Sequence, residues 1–203
     1  MDSDDWNIRY ATTELVWTAE PNRFLVAEAG TLPPGSALDL GAGEGRNAVW
    51  LAQQGWQVTA VDFAEAGLDK AAKLAAAAEV NLSTVCADLT TYCPPTPVFD
   101  LVVVLYLHLP APLRKVIHRR AADAVAAGGV LLVVGHDATN IGDGYGGPQD
   151  PDILYTPDDV RDDLAGSGLS IEKAERVRRT VETPDGQQEA IDALVRASRV
   201  PGR

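Results

Sequence analysis

The chain has little sulfur. Two cysteines, Cys86 and Cys93, and one methionine occur in 203 residues. Neither cysteine sits in a CxxC pair or a Cys/His cluster, so neither a disulfide framework nor a structural zinc site is expected, and no metal is assigned. Long apolar runs are also missing. The longest, Leu101 to Leu105 and Val130 to Val134, fall far short of the ~20 residues that cross a bilayer. Positive charge is scarce as well: 17 Lys and Arg stand against 29 Asp and Glu, a net charge of −12. Such a surface repels phosphate backbones, which argues against a nucleic-acid partner. The opening Met1-Asp2-Ser3-Asp4-Asp5 is acidic and unlike a signal peptide, so a cytoplasmic protein is expected.

What the chain has is apolar residues, at 46%, enough for a sizeable core. The expectation is one domain over residues 1–203, with an N-terminal cap segment (1–34) on a core (35–203). The cap carries Trp6, Tyr10 and Trp17. Asn22 suits the start of a short helix that Gly30 ends. Short apolar strands then alternate with helical patterns. Strands are expected at 36–40, 57–61, 82–87, 98–105 and 130–135. Helices are expected at about 46–54, 64–79 and 111–126, the last stopped by Gly128-Gly129. This alternation implies parallel βαβ units in an α/β, Rossmann-like three-layer sandwich. A long glycine-rich loop (136–155) follows, then a helix begun by Thr156-Pro157. The last forty residues read as two strands joined by Pro184-Asp185-Gly186. They form an antiparallel C-terminal hairpin that brings a mostly parallel sheet to seven strands.

The organising stretch is Leu38-Asp39-Leu40-Gly41-Ala42-Gly43-Glu44-Gly45-Arg46-Asn47. It is a strand ending in an acid, a glycine turn and a helix start. Gly41, Gly43 and Gly45 permit backbone dihedrals and a close approach to a ligand that side chains would forbid. Asp62 ends the second strand, where a carboxylate can accept from both ribose hydroxyls. Asp88 ends the third, placed for the exocyclic amine of an adenine. A dinucleotide fingerprint needs G-x-G-x-x-G, but Arg46 occupies its sixth position. Asp39 and Glu44 would also repel a pyrophosphate. S-adenosylmethionine has no phosphate and carries cationic sulfonium and ammonium groups that suit acids. A nicotinamide-dependent oxidoreductase and a non-catalytic binding protein are the alternatives.

At these residues the chain resembles class I S-adenosylmethionine-dependent methyltransferases. Gly45-Arg46-Asn47, Trp50-Leu51-Ala52 and Gly55-Trp56-Gln57-Val58 are similar to the branch containing the tellurite-resistance and thiopurine-type enzymes. Ala42 stands where many relatives have cysteine. The resemblance implies a methyl transfer from S-adenosylmethionine, leaving S-adenosylhomocysteine. It implies that Asp39, Gly41, Ala42, Gly43 and Gly45 cradle the methionine part of the donor and that Arg46 lies near its pocket. It further implies that Asp62 binds ribose, that Phe63, Asp88 and Leu89 flank the adenine, and that Leu105 and Tyr106 line the sulfonium region.

The acceptor side has no motif of its own. A small-molecule acceptor attacking by in-line displacement is expected. His108 and His136 follow the fourth and fifth strands, at the carboxyl ends where open sheets bind ligands, and are the candidate catalytic residues. Trp17 and Tyr10 are candidates for a lid over the donor. Tyr145 and Tyr155 are candidates for the acceptor pocket. His118, Arg114, Lys115, Arg119 and Arg120 read as a solvated helix face.

Overall fold

The computed structural model describes residues 3–12, 14–16, 18–184 and 186–200. Its strands are β1 (Ser36–Leu40), β2 (Gln57–Asp62), β3 (Leu82–Cys86), β4 (Phe99–Leu105), β5 (Val125–His136), β6 (Leu169–Thr183) and β7 (Gly186–Arg199). They form one sheet in the order β3-β2-β1-β4-β5-β7-β6. The first five are mutually parallel, while β7 runs antiparallel to both β5 and β6.

The helices are α1 (Ser3–Tyr10), α2 (Arg23–Ala29), α3 (Arg46–Gln53), α4 (Glu65–Ala77), α5 (Ala111–Ala124), α6 (Asn140–Asp143) and α7 (Pro157–Leu164). One sheet face is covered by α2 and α3 through Leu25, Ala48 and Leu51. The other is covered by α5 and α7 through Ile117, Ala121, Val160 and Leu164. The central strands, buried on both faces, are therefore nearly all apolar. The helix caps follow the sequence. The Asn22 side chain accepts from the N–H groups of Phe24 and Leu25. Thr156 and Asp159 close a reciprocal capping box on α7.

One boundary differs from expectation. Helix α5 ends at Ala124, and Val125 already pairs with Phe99 across a register shift in β4. Gly128-Gly129 lies inside the strand. A Cβ on Gly129 would come within 2.9 Å of the Phe99 carbonyl oxygen, so glycine serves the irregular pairing there and not a helix stop.

Strand alternation sorts the polar residues. Leu38, Val61, Val133 and Val195 point to the α5 face. Ala37, Ala60, Val134, Val177 and Leu194 point to the α3 face. Counting by twos along each strand puts Asp39, Asp62, His136, Asp192 and Arg179 on that same α3 face.

Candidate active site

The glycine turn crosses the carboxyl end of the sheet. Gly41 and Ala42 both donate their N–H groups to the Val61 carbonyl, which ties the turn to β2. Gly41, Gly43 and Gly45 all have positive φ. At Gly45 no side chain fits, since a Cβ would stand 2.4 Å from that of Ala71 on α4. The Asp62 carboxylate accepts from the N–H groups of Gly43 (2.8 Å) and Ala64 (2.9 Å). It therefore shapes the turn while keeping further lone pairs for a ligand.

Asp39 is the unusual group. It is almost fully buried, and neither carboxylate oxygen has a hydrogen-bond partner among the described residues. Burial, with the nearby Asp62 charge added, pushes its carboxyl up to about 7, against the opposing pull of Arg46. Half-buried Arg46 begins α3 within electrostatic reach of Asp39, Tyr106 and Arg179. No side-chain hydrogen bond or ion pair engages its guanidinium among the described residues. An orphaned buried carboxylate beside an uncommitted guanidinium is a natural receptor for a zwitterion such as an amino-acid group.

The remaining donor candidates lie around this turn. Leu105 and Leu89 are buried and Phe63 is half-buried. Leu107, which no sequence motif marks, packs with Leu89 against Gly41. Asp88 is exposed, and one of its oxygens accepts from the Thr90 N–H and hydroxyl at 2.8 Å each. Tyr10 lies over the turn, its hydroxyl 2.9 Å from where a Cβ on Gly43 would stand. The cap containing it is pinned to α4, where the Asn7 side chain accepts from the Ala66 N–H. Trp17 lies outside the described residues.

Three expectations need correction. Glu44 does not face a ligand cation: it pairs with Lys70 at 2.8 Å and accepts from the Val16 N–H, binding the cap to α4. His118 is not on the surface. It is buried, with Nδ1 3.0 Å from Asp163 of α7. Of the basic run only Lys115 is exposed, and the three arginines are not a solvated face. Arg114 pairs with Asp163 at 2.8 Å, Arg119 donates to the Asp163 carbonyl, and Arg120 donates to the carbonyls of Leu89, Thr90 and Tyr92. These residues clamp α5 to α7 and to the loop after β3.

On the acceptor side, the two histidines stack with ring centroids 5.3 Å apart, but their surroundings differ. His108 accepts the His136 backbone N–H at Nε2 (3.0 Å). Burial and the neighbouring His136 hold it down to about 3. It is a neutral pillar under the His136 backbone and not the free base that its position suggested. His136 instead faces Asp192 of β7, with Nδ1 and Oδ1 3.2 Å apart. That carboxylate also accepts from the Tyr106 hydroxyl (2.8 Å) and Arg179 Nε (2.7 Å). Burial alone would raise the Asp192 carboxyl, but its hydrogen-bond partners and the Arg179 charge carry it below the usual range. Tyr106 itself is held at φ +55° just past β4. Tyr155 is buried with its ring centroid 6.0 Å from that of His108, while Tyr145 is 45% exposed. Asp192 and Arg179 were not foreseen. The available signal was a lone charge in the apolar run Ala190 to Val195.

Residues 37–129 match a family model described as a methyltransferase domain. No curated protein matches the chain. Among solved structures, one concerns the conversion of a disulfide bond into a thioacetal group during echinomycin biosynthesis. It shares 19% identity over 99% of this chain and 93% of that one, with a TM-score of 0.79. TehB from Haemophilus influenzae shares 19% over 97% of this chain and 66% of its own, at 0.73. Magnesium protoporphyrin IX methyltransferase from Synechocystis PCC 6803, solved with bound S-adenosylhomocysteine, shares 20% over 97% and 83%, at 0.64. Residues 37–129 thus match a methyltransferase domain model, and the chain as a whole shares the fold of these solved structures.

Proposed function

We propose that the protein transfers a methyl group from S-adenosylmethionine to a small-molecule acceptor. The observation that carries this reading is the buried, unpartnered Asp39 carboxylate beside the glycine turn. A buried anion without a partner costs folding free energy, and an ammonium group restores its balance. Arg46 is free to meet the donor's carboxylate, and Asp62 keeps acceptor capacity for ribose hydroxyls. Phe63, Asp88 and Leu89 supply the adenine end, and Leu105 with Tyr106 the sulfonium region. When bound, the donor supplies an electrophilic methyl group on a sulfonium that departs as a neutral thioether. The chain's task is alignment, which contributes on the order of 7–11 kcal/mol in well-oriented reactions. Tyr10 and the loop 136–155 keep water away, and His136 faces the acceptor.

The likeness to TehB accords with the tellurite and thiopurine branch. The first neighbour above brings sulfur chemistry into consideration. The test is an acceptor screen that reads out S-adenosylhomocysteine, with thiols, disulfide-bridged compounds, tellurite and phenols as acceptors. Product with at least one small molecule is the expected result. Donor binding without product from any acceptor class would favour a non-catalytic binding protein. We place the protein in the cytoplasm, without a nucleic-acid partner.

A further inference from the structure

Asp192 is the one charged side chain in the buried stretch from Ala190 to Val195, and it is fully enclosed. Its Oδ2 accepts from Tyr106 and Arg179, whose charge already balances it. That network is complete without His136. Oδ1 is left over, and His136 Nδ1 lies 3.2 Å from it but off the line of a good hydrogen bond. The β5–β7 register sets the two residues directly opposite each other. A carboxylate at Nδ1 keeps the ring proton there and leaves the Nε2 lone pair bare. His108 has no such freedom, because its Nε2 accepts the His136 backbone N–H.

The bare edge of the ring is covered by the loop. A Cβ on Gly147 would lie 2.8 Å from His136 Nε2, so only glycine brings the backbone this close. Asn140 latches the turn, donating to the Gly146 carbonyl (2.8 Å) and accepting from the Ile191 N–H (2.7 Å). The latch thus ends on the residue next to Asp192.

We propose that Asp192 fixes the tautomer of His136 and makes its Nε2 the proton acceptor of the transfer, so that the methyl acceptor is a protic nucleophile, a hydroxyl or thiol, and not a preformed anion. This rests on the methyltransferase reading above. The acceptor displaces the Gly146-Gly147 turn to reach Nε2. Its lone pair forms the bond to the methyl carbon. The carbon–sulfur bond breaks with its electron pair staying on sulfur. The acceptor's proton passes to Nε2, and the imidazolium so formed is held by Asp192 until water removes the proton. Asp192 is a positioning residue, because it acts through His136.

The test is imidazole nitrogen NMR on the full chain with S-adenosylhomocysteine present, at mildly alkaline pH. His136→Gln assigns the signals. The expected result is His136 protonated at Nδ1 in the wild type, and loss of that single tautomer in Asp192→Asn. Protonation at Nε2, or an unchanged tautomer in Asp192→Asn, overturns the proposal. Should Asp192→Asn not fold, the wild-type tautomer alone decides. With any acceptor found by the screen, Asp192→Asn should lower kcat by about 10²-fold with little change in KM. The loss should be larger for a weakly acidic phenol than for an acidic thiol that is already ionised. Equal loss for both contradicts a proton transfer. Failure of the wild type to bind S-adenosylhomocysteine refutes the underlying methyltransferase reading instead.

Discussion

If Asp39 holds the donor as proposed, it should make donor binding depend on pH in a way that no surface carboxylate would. Its carboxyl is pushed up to about 7 in the free protein, chiefly by burial. An ammonium group needs the ionised form. Below about 7 the site must therefore release a proton on binding, and affinity should fall about tenfold for each further pH unit. The same shift acts on stability. An acid raised from its ordinary value of about 4 favours folding while it is protonated, so the free protein should lose stability as pH rises from about 4 to about 7. The upper bound is roughly 4 kcal/mol. Asp39→Asn removes this cost. It should raise the Tm above pH 7 while weakening S-adenosylhomocysteine binding and flattening its pH dependence. Calorimetry across this range in two buffers of different ionisation enthalpy counts the protons released. Any slope left in Asp39→Asn belongs to Asp62, whose carboxyl burial also raises. Constant affinity from about pH 5.5 to 7 in the wild type would refute the reasoning.

Other outcomes follow from the same geometry. Asp62→Ala removes the acceptor for the Gly43 and Ala64 N–H groups and should abolish donor binding with a measurable drop in Tm; an unchanged affinity would mean the pocket lies elsewhere. Gly45→Ala forces a Cβ against Ala71 at positive φ and should cost about 1–3 kcal/mol in chemical denaturation. Arg114→Ala leaves the buried Asp163 carboxylate without its cationic partner, with His118 still beside it, and should cost about 3–5 kcal/mol while leaving donor affinity unchanged. Gly147→Ala should lift the loop from His136, which faster amide exchange at residues 144–148 would register.

The proposed donor site could be named from the sequence because its candidate residues are local in the chain. Asp39, the three glycines and Arg46 fall within eight residues, and strand ends announce Asp62 and Asp88. The count of seven strands and the antiparallel hairpin were likewise readable from alternating patterns and turns, whereas the strand order came only from the structure. The acceptor half was not. His136, Tyr106, Arg179 and Asp192 come from four separate segments, and only strand pairing brings them together. Partners distant in sequence also explain the misread helix. Asp163 lies 45 residues beyond His118 and turns a seemingly solvated histidine into a buried one. Glu44 was misjudged for the same reason, since its partner Lys70 sits on the next helix.

The central claim is that the glycine turn and Asp39 hold S-adenosylmethionine. Calorimetric titration of the folded protein with S-adenosylhomocysteine, and with a reduced nicotinamide dinucleotide for comparison, tests it most directly. One saturable site is expected for S-adenosylhomocysteine and none for the dinucleotide. Binding of the dinucleotide alone, or of neither compound at millimolar concentration, would contradict it.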